Sequence, residues 1–330
     1  MTTRRVPLAD RYGRPVTGLR ISLNSSTRCN FGCVFCHMEG VTNGDSGEEM
    51  SPREIEHVVR LLTTWGVHKV KLTGGEPMLR RDITEIVGGL GKLDLSDLSM
   101  TTNGSRLARL ADRLKRDGLD RVNVSLHSLK KEVYEQITGV DRLDETLQGI
   151  QEAIRAGLRP VKLNLVFLDG LNGGELEDMI EFSASLGGAR TNVLQIIEFI
   201  PTNGALRNIL HSDLAPTIQY IEKHAASTER RELHGRIVYH LDNGVAVEVV
   251  KPMHNSVFCM ANTRIRITHD GKFKPCLLRN DNHVDFLGAM RSNATDQELL
   301  ELYRRAVSLR APYFLPRRLR ALSKREIPKR

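Results

Sequence analysis

Between residues 19 and 198, short β-prone runs alternate six times with amphipathic helical stretches, and few folds accommodate that rhythm. Leu19-Arg20-Ile21-Ser22-Leu23 alternates and predicts the first strand. Ser51 then offers an N-cap, Pro52 suits the first helical position and Glu54 completes a capping box. Ile55, Val58, Val59, Leu62 and Trp65 follow on one face, and Gly66 permits a left-handed stop. Strands are expected at 67–72, 98–101, 121–125, 161–167 and 193–198, with Asp82 and Glu85 capping the helix after the second strand and further helices over 144–156 and 175–186. Parallel neighbours need a crossover of about a dozen residues or more, right-handed when it returns to the same sheet. No G-x-G-x-x-G follows the first strand, so a dinucleotide-binding open sheet is not indicated. The cysteine-rich stretch from residue 29, the turn Gly74-Gly75-Glu76-Pro77, the segment 101–104 and Ser125 all fall directly after strands, which in a (β/α) barrel brings them to one mouth. The expectation is an α/β chain: a partial (β/α)6 TIM barrel over residues 1–226, with a C-terminal α+β extension over 227–307 covering the barrel opening.

One strand end carries unusual chemistry. Cys29, Cys33 and Cys36 place three of the five cysteines within eight residues. Three thiolates on one loop hold three corners of a metal site and leave the fourth open, unlike a structural zinc site with its four protein ligands. The clustering and the odd count argue against a secreted disulfide framework, and no apolar signal core follows Met1, so a reducing cytoplasm is expected. No apolar run approaches the ~18 residues that span a bilayer, which predicts a soluble protein.

Downstream, a helix over about 214–225 precedes a hairpin signal at Leu241-Asp242-Asn243-Gly244, between runs 237–240 and 245–250. A second hairpin turns at His269-Asp270-Gly271, with Cys259, Arg264 and Arg266 on its entry side and Cys276 on its exit side. A closing amphipathic helix is expected over 298–307. Most of the net charge of +8 lies beyond it: Arg310, Arg317, Arg318, Arg320, Lys324, Arg325, Lys329 and Arg330 face Glu326 alone, which reads as a solvated basic tail over 308–330.

Together the cysteine triad, the Gly-Gly-Glu-Pro turn and the barrel mouth resemble the radical S-adenosylmethionine (SAM) superfamily. Within it the chain is similar to the GTP 3′,8-cyclases, the molybdenum cofactor biosynthesis protein A family, almost from end to end. The stretch 10–15, Thr101-Thr102-Asn103-Gly104, the strand 121–126 and, above all, Phe258-Cys259 through Arg264-Ile265-Arg266 and Asp270-Gly271-Lys272 to Pro275-Cys276 carry that similarity. The resemblance implies a [4Fe-4S] cluster on Cys29, Cys33 and Cys36, with SAM on the open iron contacted by Phe35, Gly74, Gly75, Glu76, Ser125 and Ile200. It implies GTP contacts from Arg20, Lys71, Thr101, Lys162, Arg264, Ile265 and Arg266, and a second iron–sulfur cluster on Cys259 and Cys276. No acid–base residue is implied, because the 5′-deoxyadenosyl radical does the chemistry, converting GTP to (8S)-3′,8-cyclo-7,8-dihydroguanosine 5′-triphosphate for molybdenum cofactor biosynthesis. The implied partners are an electron donor, the downstream cyclic pyranopterin monophosphate synthase and a second copy in a homodimer; neither membrane nor nucleic acid is expected.

The chain departs from the pattern in places. Asn262 stands where the family's second cluster has its middle cysteine, so the third ligand there falls to Asn262, to a histidine such as His254, or to nothing. Lys71 and Gln195 replace arginines, Ile200 a methionine and His127 an aspartate, and the chain ends without the family's Gly-Gly. Two other readings fit parts of the sequence: a radical SAM enzyme acting on a peptide or another small molecule, and a zinc-bearing nucleic-acid module with a basic tail.

Overall fold

A computed structural model describes residues 6–40, 48–201 and 211–316. Among them the first half lays down β1 (Gly18–Ser22), α1 (Pro52–Thr63), β2 (Lys69–Thr73), α2 (Ile83–Leu90), β3 (Asp97–Thr102), α3 (Leu107–Arg116), β4 (Arg121–Ser125), α4 (Lys131–Thr138), α5 (Leu143–Arg155), β5 (Val161–Phe167), α6 (Leu176–Ser185) and β6 (Asn192–Glu198). The second half adds α7 (Ala215–Lys223), β7 (Ala225–Arg230), β8 (Ile237–Leu241), β9 (Ala246–Val250), α8 (Ser256–Met260), β10 (Arg264–Ile267), β11 (Lys272–Lys274), β12 (Val284–Asp285), α9 (Leu287–Arg291) and α10 (Asp296–Ser308).

All twelve strands form one sheet, ordered β12-β11-β10-β1-β2-β3-β4-β5-β6-β9-β8-β7. β1 to β6 run parallel in chain order, each joined to the next by a crossover that carries helix. The C-terminal part does more than cover an opening. β10 adds in parallel to β1, β9 adds in parallel to β6, and two short antiparallel strands extend each edge. β12 and β7 end the order unpaired with one another, so the sheet stays open. It nevertheless curls: Arg236, just before β8, and Arg264, on β10, come from opposite wings and line one cavity.

Alternation along the strands separates two faces. Leu19, Ile21, Val70, Leu72, Leu98, Met100, Val122, Val124, Leu163, Leu165, Leu194 and Ile196 join the helices in one apolar core. The intervening Arg20, Lys71, Thr101, Asn123, Ser125, Lys162, Asn164 and Gln195 line the cavity on the inner face. α1 begins with the expected capping box, Glu54 N–H donating to Ser51 Oγ at 3.3 Å and Ser51 N–H to Glu54 Oε2 at 2.7 Å. Asp82 makes no cap; Arg80 claims its carboxylate with two bonds of 2.8 and 2.6 Å.

Two expectations are corrected downstream. The helix expected to reach residue 225 stops at Lys223, and the exposed Ala225–Arg230 becomes edge strand β7 by pairing with β8; local polarity gives no hint of that pairing. Arg310 does not belong to a solvated tail. It is 0% exposed, donating to the carbonyls of Arg14 at 2.8 Å and Asn262 at 2.6 Å beside Asp10 at 3.3 Å. The remaining basic residues, 317–330, lie outside the described residues. No helix among the described residues is long and apolar enough to cross a membrane.

Candidate active site

A cavity of about 1060 Å³ runs the length of the strands on the inner face. Cys29, Cys33, Cys36, Gly74 and Gly75 line it beyond the strand C-termini, and Gly18, Lys69, Asp97 and Pro160 line it at the other end. Cys259 and Cys276 line that other end too, because β10 runs parallel to β1 with Arg264 opposite Gly18. The two cysteine sets thus face each other along one lumen, whereas the sequence suggested a single mouth.

The first cysteine loop is held by its own backbone and by the β2 turn. Burial raises the thiols of Cys29 and Cys36 and pushes that of Cys33 up to about 12. Opposing this, the Phe31 amide and the Asn103 side chain donate to Cys29, and the Met38 amide donates to Cys36. Such N–H donors support thiolates. Among the described residues no three His, Cys, Asp or Glu side chains close on a single ion. Three thiols spread around one lumen end fit separate irons of a cluster instead.

Gly74 and Gly75 are required by packing. A Cβ on Gly74, at φ +144°, would lie 2.3 Å from Asn24 Oδ1, and one on Gly75 would lie 2.3 Å from the Arg28 carbonyl oxygen. The turn therefore presses on the segment that leads into Cys29. Glu76 is 2% exposed and its carboxylate accepts from the Met78 amide at 3.0 Å, Thr102 Oγ1 at 2.8 Å and the Asn103 amide at 2.7 Å. These bonds tie the β2 and β3 ends together. Phe35, Ser125 and Ile200 line the same end, with Phe35 edge-on to His127 at 4.5 Å.

Cations fill the middle of the lumen. Glu39, three residues past Cys36 and buried, accepts from Arg20 at 2.7 Å, Arg266 at 2.6 Å and Thr73 at 2.9 Å. Burial alone would raise its carboxyl, but Arg20 and Arg266 hold it well below the usual range. Lys71 donates to Asn123 Oδ1 at 2.6 Å and is pushed well down by burial and by Arg121, Arg264 and Arg20. Lys162 is hydrogen-bonded to Glu248, which also accepts from Gln195 at 2.8 Å and lies 3.1 Å from Arg236. Arg264 differs from all of these. Its side chain reaches the lumen past Gly18, where a Cβ would meet it at 3.1 Å, and among the described residues it has no hydrogen bond or ion pair. Thr101 lines the cavity as expected, but Ile265 does not: on a strand with period two it faces away from its arginine neighbours and is 0% exposed in the core.

Sequence families match in two consecutive blocks, one described as the Radical SAM superfamily over residues 23–183 and one as Molybdenum Cofactor Synthesis C over residues 192–315. A Thermococcus kodakarensis protein named "Probable GTP 3',8-cyclase" is 51% identical, covering 93% of this chain and 99% of its own. Proteins of the same name from Pyrococcus abyssi and Thermoplasma volcanium are 45% and 44% identical, covering 93% and 94% of this chain and 99% and 93% of theirs. The chain belongs to the GTP 3′,8-cyclase family of radical SAM enzymes. Solved structures share the fold. Streptococcus suis SuiB bound to precursor peptide SuiA superposes with a TM-score of 0.61 at 16% identity, covering 81% of this chain and 61% of that one. Native anSMEcpe with bound AdoMet and Kp18Cys peptide gives 0.62 at 15%, covering 89% and 83%. Radical SAM membership and the βα sheet set aside the zinc-bearing nucleic-acid module.

Several lumen residues of this radical SAM enzyme have no sequence signal of their own. Glu39 and His234 become cavity residues only through contacts with distant segments. Glu248 was detectable, as a lone acid at an inward position of the otherwise apolar β9, and so was Arg121, whose bidentate pair with Asp97 at 2.7 Å forms across neighbouring strands.

Proposed function

We propose that this chain binds GTP along the lumen between its two cysteine sets and converts it to (8S)-3′,8-cyclo-7,8-dihydroguanosine 5′-triphosphate. The observation that carries the reading is the unpaired guanidinium of Arg264, set among Arg20, Arg236 and Arg266. A triphosphate satisfies such a set of forked donors, and the absence of a G-x-x-x-x-G-K-[ST] loop leaves phosphate binding to side chains. Arg20, Lys71, Lys162, Arg264 and Arg266 are the proposed cationic contacts, with Thr101 a neutral one; Ile265 contributes packing only. Arg236 supplies a charge close to Gln195, where the family pattern has arginine.

Cys29, Cys33 and Cys36 would hold the [4Fe-4S] cluster, and Phe35, the Gly74–Glu76 turn, Ser125 and Ile200 would hold SAM; when bound, these groups supply hydrogen abstraction from the substrate. The chain's own residues position the ribose and keep water out. Cys259 and Cys276 would hold a second cluster at the far end, near the purine. The Tyr313 and Phe314 amides donate to Cys259, and Arg14 donates to its carbonyl at 2.8 Å. An external electron donor, hand-off to the cyclic pyranopterin monophosphate synthase and a cytoplasmic setting complete the proposal.

The test is anaerobic reconstitution followed by incubation with SAM, reductant and GTP, with products read by mass spectrometry. A dephosphorylated product isomeric with guanosine and carrying the 3′,8 bond is expected. SAM cleavage with GTP returned intact would refute the cyclase reading and favour a different small molecule or peptide.

A further inference from the structure

The second cysteine set offers two thiols, with Asn262 where the family pattern has a third. Asn262 follows α8, with its amide 3.4 Å from the Cys259 carbonyl oxygen, and lines the cavity with Cys259 and Cys276. Its side-chain oxygen is already committed: it accepts from the Arg264 amide at 3.0 Å and contacts His234 Nε2 at 3.2 Å. His254, the histidine nearest to Cys259 in sequence, is exposed and turns its ring onto Phe314 at 4.9 Å. Neither residue presents a free donor to the cavity: the Asn262 oxygen is taken, and His254 does not line it.

His234 does. It arrives from the opposite wing of the sheet, between β7 and β8, and is fixed to the cysteine loop in three ways. Its amide donates to the Ala261 carbonyl at 2.7 Å, its ring stacks on Phe258 with centroids 3.8 Å apart, and its Nε2 meets Asn262 Oδ1 at 3.2 Å, while its backbone sits in the left-handed region at φ 64°. That conformation is costly for a residue other than glycine, so the surrounding contacts must hold it. The tautomer follows from the bonding. Asn262 Oδ1 already receives the Arg264 amide and is therefore the acceptor, so His234 Nε2 carries the proton. Nδ1 then bears the lone pair, and it makes no hydrogen bond among the described residues. One ring nitrogen donating to an oxygen while the other keeps its lone pair free is the arrangement found in metal-ligating histidines. Imidazole is also a far better iron ligand than a carboxamide.

We propose that His234 Nδ1 is the third protein ligand of the second cluster, completing a Cys259–Cys276–His234 set in which Asn262 orients the imidazole. The inference rests on the reading that a second cluster is present. A mixed thiolate–imidazole set raises a cluster's potential relative to an all-thiolate one.

The test uses the full chain with Cys29, Cys33 and Cys36 replaced by serine, reconstituted anaerobically without SAM or GTP. In this background iron should reach about four per chain, and the reduced cluster should show a strongly coupled nitrogen by pulsed electron paramagnetic resonance. His234→Ala should abolish that coupling and lower the iron content. Adding Asn262→Cys to His234→Ala should restore iron without the nitrogen signal, which separates ligand loss from misfolding. An unchanged nitrogen coupling in His234→Ala would overturn the proposal, as would a substrate-free spectrum with no such coupling in either protein. If the serine background takes up no iron while the parent chain takes up one cluster's worth, the second cluster itself falls, and this ligand with it.

Discussion

Arg264 and Arg266 sit two residues apart on one strand face yet do different work. Arg266 is neutralised by Glu39, whereas Arg264 has no counter-ion among the described residues. Replacing either by alanine should weaken GTP binding by about 1–3 kcal/mol for each charged hydrogen bond lost. The two should separate in stability: Arg266→Ala strips a partner from the buried Glu39 and should lower the unfolding midpoint, while Arg264→Ala relieves repulsion and should not. Paired calorimetric titrations and denaturant melts read both effects. His127 sets an acid limit. Its Nδ1 accepts from the Val166 amide at 3.2 Å, its Nε2 is sealed without a partner, and burial pushes it down to about 3. The unfolded chain takes up this proton near pH 6.5 and the folded one does not, so stability present above pH 6.5 is lost as the pH falls toward 3. By pH 5 the loss from this group is about 2 kcal/mol. His127→Asn should flatten that stretch of the stability–pH curve, and an equal slope in both proteins would contradict the assignment.

At the level of elements, the turn after β2 acts as a wedge. Gly75→Ala should push back the segment 25–28 and misplace Cys29, lowering iron uptake at the first site while the far cysteines remain loaded; iron counting in a Cys259→Ser background isolates the effect. The α1 capping box is local and should behave locally. Ser51→Ala should cost about 1 kcal/mol in a denaturant melt and leave GTP affinity unchanged. The same contrast explains which elements were readable. The Ser51–Glu54 box, the run Arg121–Ser125 and the run Val161–Phe167 appear where their residues imply, because each signal is complete within a few positions. β7 and β12 are strands only by virtue of a partner, and their own residues do not announce it.

For the whole molecule, Glu248 is the point where the C-terminal wing is tied to the parallel strands. From β9 it meets Lys162 of β5, Gln195 of β6 and Arg236 ahead of β8. Burial pushes Lys162 down to about 7, and Glu248, which burial alone would raise, is drawn down to about 2 by Lys162 and Arg236. Removing the one anion strands at least two buried cations, so Glu248→Gln should cost about 3–5 kcal/mol, measured as a shift in unfolding midpoint. The sequence alone determined the βα succession, the three-thiolate loop and the two-faced strands, since periodicity and spacing are properties of neighbouring residues. It also contained the reason the Ile265 side chain joins the core, in the two-residue period that turns it away from Arg264 and Arg266. Only the tertiary structure decided that β10 pairs with β1 and carries the second cysteine pair to the far end of the lumen, that Glu39 occupies two of the arginines, and that His234 meets Asn262. Those relations join residues from 19 to 246 positions apart, and sequence distance is silent about which of them become neighbours.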